Sequence, residues 1–375
     1  MRSRIIILTL CLLPIILIFT ACGGDDDDDG ENSGPGEVAF DREAMLQDWA
    51  DLIIIPGYEA YVASLNDLVA ANETFSTDLN ETNLENLRTT YIATYTVWQR
   101  VAMFEIGAAE ELQLGSFTNI YPASEETILE NISTGDYNLE VPSTIDAQGF
   151  PALDYMLFGL GSTLDENLAQ LSDSNNLDYL EDLINRLQSL GSDVLTDWNN
   201  GYREEFISNS GASATASVDK LVNDFLFYYE RFLRAGKIGI PAGVFSGTAL
   251  ATHVEAPYSG IYSKMFFQVA FTSVRDFFEG TSFDGSRNGL SLNDYLESVQ
   301  GDNQPSTIAT TLRSQWATAE SASQLLSDNL NQQVLTDNAV MLSVYDELQE
   351  AVLPLKMDLL QALNIQVDFI DADGD

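Results

Sequence analysis

The side chains that could do chemistry in this chain are few, and their types narrow the field before any fold is assigned. His253 is the only histidine among 375 residues. A Ser-His-Asp triad would have to use it, and a zinc site built on two or three histidines is impossible. The two cysteines, Cys11 and Cys22, both lie near the N-terminus. The body of the chain therefore has no thiolate nucleophile, disulfide or cysteine metal ligand. The signatures G-x-S-x-G, G-x-x-x-x-G-K-[ST], G-x-G-x-x-G and H-E-x-x-H are absent. What remains is carboxylate and hydroxyl chemistry.

Three carboxylates stand out. Glu105 extends the stripe Tyr91, Tyr95, Trp98 by seven residues and should face inward. A buried carboxylate must be paired, protonated or metal-bound, and a structural ion pair is the plain reading. Arg100 lies roughly 140° away round the helix, so any partnership runs through another element. Asp154 belongs to the segment Gly149-Phe150-Pro151-Ala152-Leu153-Asp154, followed by an apolar run closing at Gly159. Pro151 and Asp154 suit the first turn of a helix, where proline is tolerated and a carboxylate gains about 0.3–1 kcal/mol from the dipole. Glu255 and His253 sit in a loop before a helix, where Tyr258 and Ser259 add hydroxyls; a lone histidine there also reads as a surface or packing residue. If metal is bound directly, Asp154, Glu105 and Glu255 are the ligands, oriented by Arg100 and Tyr258. Such oxygen donors suit hard cations, Fe(III) or Ca²⁺, better than zinc. Asp371, Asp373 and Asp375 have the spacing of a calcium loop, but the sequence stops before its remaining ligands and the stretch reads as a solvated tail.

The elements that must position these groups are helices. Leu84, Leu87, Tyr91, Tyr95, Trp98 and Ala102 recur at spacings of three and four, as do Ile308, Leu312, Trp316, Ala319 and Leu326, with Pro305 near their start. A last helix reads Met341, Tyr345, Leu348, Val352, Leu355, Leu359 and Leu363. Strand-like alternation is scarce, so the fold class is all-α. Pro56 and Pro354 lie inside helical patterns, and each should kink its helix and free a carbonyl. Irregular stretches are expected at 115–149, 199–216 and 236–257. The composition shift near 199–216 marks a boundary between an N-terminal helical half, 40–205, and a C-terminal half, 206–375.

Charge and the N-terminus set the compartment. The chain has 16 Lys+Arg against 58 Asp+Glu, a formal net charge of −42. That field repels nucleic acid and draws cations or basic partners. Arg2 and Arg4 precede the apolar run Ile5 to Ile18, too short to span a bilayer comfortably and read as a secretory leader over 1–21. Phe19-Thr20-Ala21-Cys22 resembles a bacterial lipobox, which makes Cys22 the lipidation site and acyl chains the anchor. Residues 22–39, with five aspartates at Asp25 to Asp29, form an acidic disordered tether reaching about 20 Å. An acidic run after a lipidated cysteine also resembles the surface-export signal of some lipoproteins. The expected location is the outer membrane, at the cell surface or on the periplasmic face.

Several segments together resemble the imelysin family. Gly149 to Gly159 is similar to its G-x-H-x-x-E segment, and Trp98-Gln99-Arg100-Val101-Ala102-Met103-Phe104-Glu105 to its helix bearing an Arg and a Glu. Glu255-Ala256-Pro257-Tyr258-Ser259, the helix running to Phe277-Phe278-Glu279-Gly280, and the C-terminal stretch from Leu353 extend the resemblance over about 40 to 375. It implies two helical-bundle halves around a groove, export, and a link to bacterial iron uptake; the founding activity is a peptidase. The family's His and Glu fall on Pro151 and Asp154, and proline has neither lone pair nor proton to offer. The resemblance therefore implies an exported lipoprotein with a binding role in iron acquisition, with iron, haem or a transport partner as its ligand. The alternatives are a metal-dependent peptidase of that family and a metal-free surface interaction module.

Overall fold

Three residues between helices force the first pairing of the chain. In a computed structural model that describes residues 40–300 and 306–367, α1 (Ile55–Thr77) ends at Asp78 and α2 (Glu81–Val101) starts after Asn80, whose side chain accepts the Asn83 N–H at 2.9 Å. The short connection makes them an antiparallel hairpin. Leu84, Leu87, Tyr91, Tyr95 and Trp98 are all buried, as the three-four spacing predicts. Next come α3 (Gly149–Asp154) and α4 (Ser174–Asp197); α4, with Leu180, Leu183, Leu187 and Val194 buried, packs against α1 and against α3. Then α5 (Ser217–Phe227), α6 (Ser263–Phe278), α7 (Thr307–Ser323) and α8 (Asn338–Gln349) complete the main framework. Helix α6 packs on α2, and one buried core runs through all of these elements. Among the described residues there is no strand, only one isolated bridge, Thr281 to Asn288. The all-α expectation holds.

The prolines act through wider helical turns. Trp49–Ile54, ending two residues before Pro56, is wound with i→i+5 hydrogen bonds, and Pro354–Leu359 is another such π segment. Proline has no N–H for the carbonyl four residues back, so a helix bearing one must rearrange. The carbonyl freed by Pro56 is that of Leu52, and the Phe283 N–H takes it at 2.7 Å. The expected last helix is interrupted at Glu350 and Ala351, just ahead of Pro354, so Met341 and Leu363 lie on separate pieces.

The irregular stretches are more ordered than the composition suggests. Residues 115–149 contain helices Leu114–Thr118 and Glu125–Thr134 and a 3₁₀ segment Pro142–Ala147. The start of 236–257 is not loop at all: α5 continues as a π segment, Tyr228–Gly239. The leader, Cys22, the aspartate run, Pro305 and the terminal aspartates lie outside the described residues.

Gly149 connects two layers by close approach. Its φ is +73°, and a Cβ there would lie 2.2 Å from the Thr118 carbonyl oxygen. Gly149→Ala is expected to destabilise the protein by at least about 2 kcal/mol through positive φ and overlap with backbone; urea unfolding at constant m-value measures it, and a loss below 0.5 kcal/mol (roughly the surface-substitution range) would refute the close approach.

Candidate functional site

At the centre of the molecule an acid and a base are buried against each other. Tyr95 and Gln99 lie one turn apart on α2, Asn119 follows the helix Leu114–Thr118, Lys237 comes from the π segment, and Glu255 from the loop before α6. Lys237 Nζ donates to Glu255 Oε2 and, at 2.7 Å, to Gln99 Oε1. Glu255 Oε1 accepts from Gln99 Nε2 at 3.0 Å, from Asn119 Nδ2 at 2.8 Å and from the Tyr95 hydroxyl at 2.9 Å. Burial alone would raise the Glu255 carboxyl, but the Lys237 ammonium and these donors outweigh it and hold the group below its ordinary value. Burial pulls Lys237 down from its usual range, with Glu255 opposing. Tyr95 is held by ring contacts: it stacks on Phe150 at 4.3 Å and 7°, and the tilted Phe266 ring lies 4.4 Å away.

Asp154 ends α3, fully buried, and points at the loop after Glu255. Its Oδ2 accepts the Tyr258 N–H at 2.8 Å and its Oδ1 the Ser259 N–H at 3.1 Å. Burial pushes its carboxyl up to about 6, although these N–H groups and the Ser259 side chain pull the other way. The expectation that Asp154 serves the N-terminus of its own helix is corrected here: Pro151 does occupy the first turn of α3, but the carboxylate serves the 258–259 backbone.

Glu105 lies just beyond α2. Both its oxygens face the Gly115 N–H, at 3.0 and 3.1 Å. Burial pushes it up to about 7, opposed by that N–H and reinforced by Glu110. Among the described residues no arginine or lysine pairs with it, so the ion pair read from sequence is replaced by a backbone contact and protonation near neutrality. Glu105 lines a cavity of about 210 Å³ with Met103, Phe227, Tyr228 and Phe232. An adjoining, smaller cavity of about 30 Å³, room for about one water, shares Ala102, Glu105, Gly115, Tyr228 and Phe232 with it and reaches Asn119 and Lys237.

The remaining predicted groups lie elsewhere. Arg100 donates to the Phe283 carbonyl and stacks 3.6 Å from the Phe283 ring centroid, on a groove with Asp276, so it orients none of the three carboxylates. The Tyr258 hydroxyl donates to Glu125 at 2.5 Å, and only its backbone meets Asp154. The Ser259 hydroxyl is 3.4 Å from the Ala256 carbonyl. His253 contacts the Thr252 hydroxyl at 3.2 Å.

The three-carboxylate metal set is therefore corrected. Among the described residues no group of three or more His, Cys, Asp or Glu is placed to hold a metal ion. Glu255 already has a cation, and both oxygens of Asp154 are occupied by N–H groups. These donors do not fit a resident metal.

Lys237, Gln99, Tyr95 and Asn119 are site residues that sequence reasoning missed. A signal for Lys237 existed: Phe225, Tyr229, Leu233 and Lys237 recur every four residues, so a lysine completes an apolar stripe, and all four are buried.

The sequence profile of the imelysin family (Peptidase_M75) matches residues 54–355. Among solved structures, a provisionally assigned iron-regulated protein A precursor from Parabacteroides distasonis is similar with a TM-score of 0.69 at 16% identity, covering 89% of this chain and 97% of that one. An imelysin-like protein from Psychrobacter arcticum gives 0.67 at 18% identity, covering 88% and 97%. These likenesses establish the fold. No protein of curated function matches the chain significantly.

Lys237→Met leaves Glu255 buried without its cation and is expected to cost about 3–5 kcal/mol. Adding Glu255→Gln should recover a large part of that loss; a double variant as unstable as the single one would show that charge pairing is not what Lys237 contributes. Glu105 binds its proton more tightly folded than unfolded, so its contribution to stability falls as pH rises from about 4.5 to about 7. Glu105→Gln should therefore remove about 2–3 kcal/mol of the stability difference between pH 5 and pH 8. Urea unfolding at the two pH values checks it, and parallel losses in parent and variant would contradict the raised carboxyl.

Proposed function

The chain belongs to the imelysin family, and on that footing we propose that it is an exported, lipid-anchored binding protein of bacterial iron uptake without peptidase chemistry. The observation that carries the reading is the commitment of Asp154. At the G-x-H-x-x-E position Pro151 supplies no proton or lone pair, and the Asp154 oxygens hold the Tyr258 and Ser259 N–H groups. The pair that would activate a water or grip a metal is thus a loop latch. The iron connection draws on the similar structure named as iron-regulated and on the resemblance itself. Since Asp154, Glu105 and Glu255 do not converge, iron in this reading is recognised in complexed form, as a chelate or haem. No helix among the described residues is long and apolar enough to cross a membrane; the anchor in this proposal is acylated Cys22, with the aspartate run as spacer.

Thermal unfolding of the purified protein with Fe(III)-citrate and with haem tests it, alongside digestion of an unfolded protein substrate with and without a chelator. A true ligand at 100 times its Kd should stabilise by about 2.7 kcal/mol, a shift of several degrees. No cleavage is expected. Chelator-sensitive cleavage lost in Asp154→Ala would replace the reading with a metallopeptidase; no shift with either iron form would remove iron from it.

A further inference from the structure

The cavity beside Glu105 is not used by the buried Lys237–Glu255 pair or by the Asp154 latch. Its walls combine two features. Phe227, Tyr228 and Phe232 supply aromatic faces from the end of α5 and the π segment, and Met103 and Ala102 add apolar surface. Three carboxylates line the cavity: Glu105 and Glu110 from the stretch that follows α2, Glu110 with the Lys220 ammonium 3.9 Å away, and Asp224 from α5. Among the described residues Glu105 takes a hydrogen bond from the Gly115 N–H alone and forms no ion pair, and Lys237, which lines the adjoining cavity with it, is engaged by Glu255 and Gln99. The Tyr228 hydroxyl and the Trp98 indole N–H, in the walls of the paired cavities, are buried without a hydrogen-bond partner.

An anionic ligand is excluded by three carboxylates and by a chain of net charge −42. A bare metal ion finds no ligand cluster and would gain nothing from aromatic walls. A cation with an alkyl body satisfies both: its charge meets Glu105 and the ring faces, and its carbons displace water from Phe232 and Met103. At about 210 Å³ the cavity is below the usual range for drug-sized ligands, which sets the ligand's size. We propose that this cavity binds a small protonated aliphatic amine, with Glu105 as counter-ion and Phe227, Tyr228 and Phe232 as its walls.

Isothermal titration of the purified protein with propylamine at pH 8, at fixed ionic strength, tests the site independently of any iron ligand. Saturable one-to-one binding is expected, in the millimolar range because so small a ligand makes few contacts. Glu105→Gln should weaken it at least tenfold, and ammonium chloride should not compete at equal concentration. Should Glu105→Gln fail to fold, Ala102→Leu fills the same space and should abolish binding. A paired surface variant, Asp178→Asn with Asp182→Asn, should leave it unchanged. Absence of saturation, equal affinity in Glu105→Gln or Ala102→Leu, or an equal loss in the surface variant would overturn the proposal, the last by reducing it to general attraction between cations and an acidic protein.

Discussion

The buried pairing of Lys237 with Glu255 is the constraint on which the arrangement of this molecule turns. An isolated charge in such a place would be untenable, and a bare pair would scarcely repay its own desolvation. What makes it tolerable is the surrounding set of neutral donors: Gln99 bridges acid and base, while Asn119 and Tyr95 complete the carboxylate. Each of those groups has to be held by its own element, so α2, the segment after Leu114–Thr118, the π segment and the 255–260 loop are fixed relative to one another by chemistry as well as by packing. The Phe150 and Phe266 rings in contact with Tyr95 carry that constraint into α3 and α6.

Helical irregularity is the means by which these elements reach the centre. The π segment Tyr228–Gly239 carries Lys237, and Asp154 stands at the point where α3 widens into Tyr155–Gly159. A wider turn shifts the faces that later residues present, which lets one continuous run put Phe225 in the core and Lys237 against Glu255. Proline contributes in the same manner at Pro56, whose orphaned Leu52 carbonyl becomes an attachment point for Phe283. Phe283 in turn occupies Arg100 through its carbonyl and ring. A residue that looked available for a binding site is thereby spent on holding a loop.

Sequence periodicity conveyed the helices and their buried faces well, because the three-four spacing of Tyr91, Tyr95 and Trp98 depends only on local geometry. It also placed Glu105 off the solvent face and Asp154 in a helix with Pro151 in its first turn. What it could not convey was the partner of each polar group. Partners come from residues over a hundred positions away, as with Tyr95 and Glu255, or from backbone N–H groups, as with Asp154, and neither leaves a mark in residue type. The long stretches taken as irregular hid helices because their Gly, Ser and Asn content reports turns, not the short helical pieces between them. Lys237 went unseen since a lone lysine normally reads as surface, although its four-residue rhythm with Phe225, Tyr229 and Leu233 argued otherwise.

The three inward carboxylates form a graded series. Glu255 is matched by a full positive charge and stays ionised. Asp154 is matched by two backbone N–H groups, enough to hold it in place but not enough to keep its carboxyl in the ordinary range. Glu105 is matched by one N–H and is pushed up to about 7. The less an acid is satisfied within the protein, the more it stands to gain from something outside it. By that ordering Glu255 and Asp154 belong to the architecture, and Glu105, the least satisfied of the three and the one that opens on a cavity, is where a ligand has the most to offer.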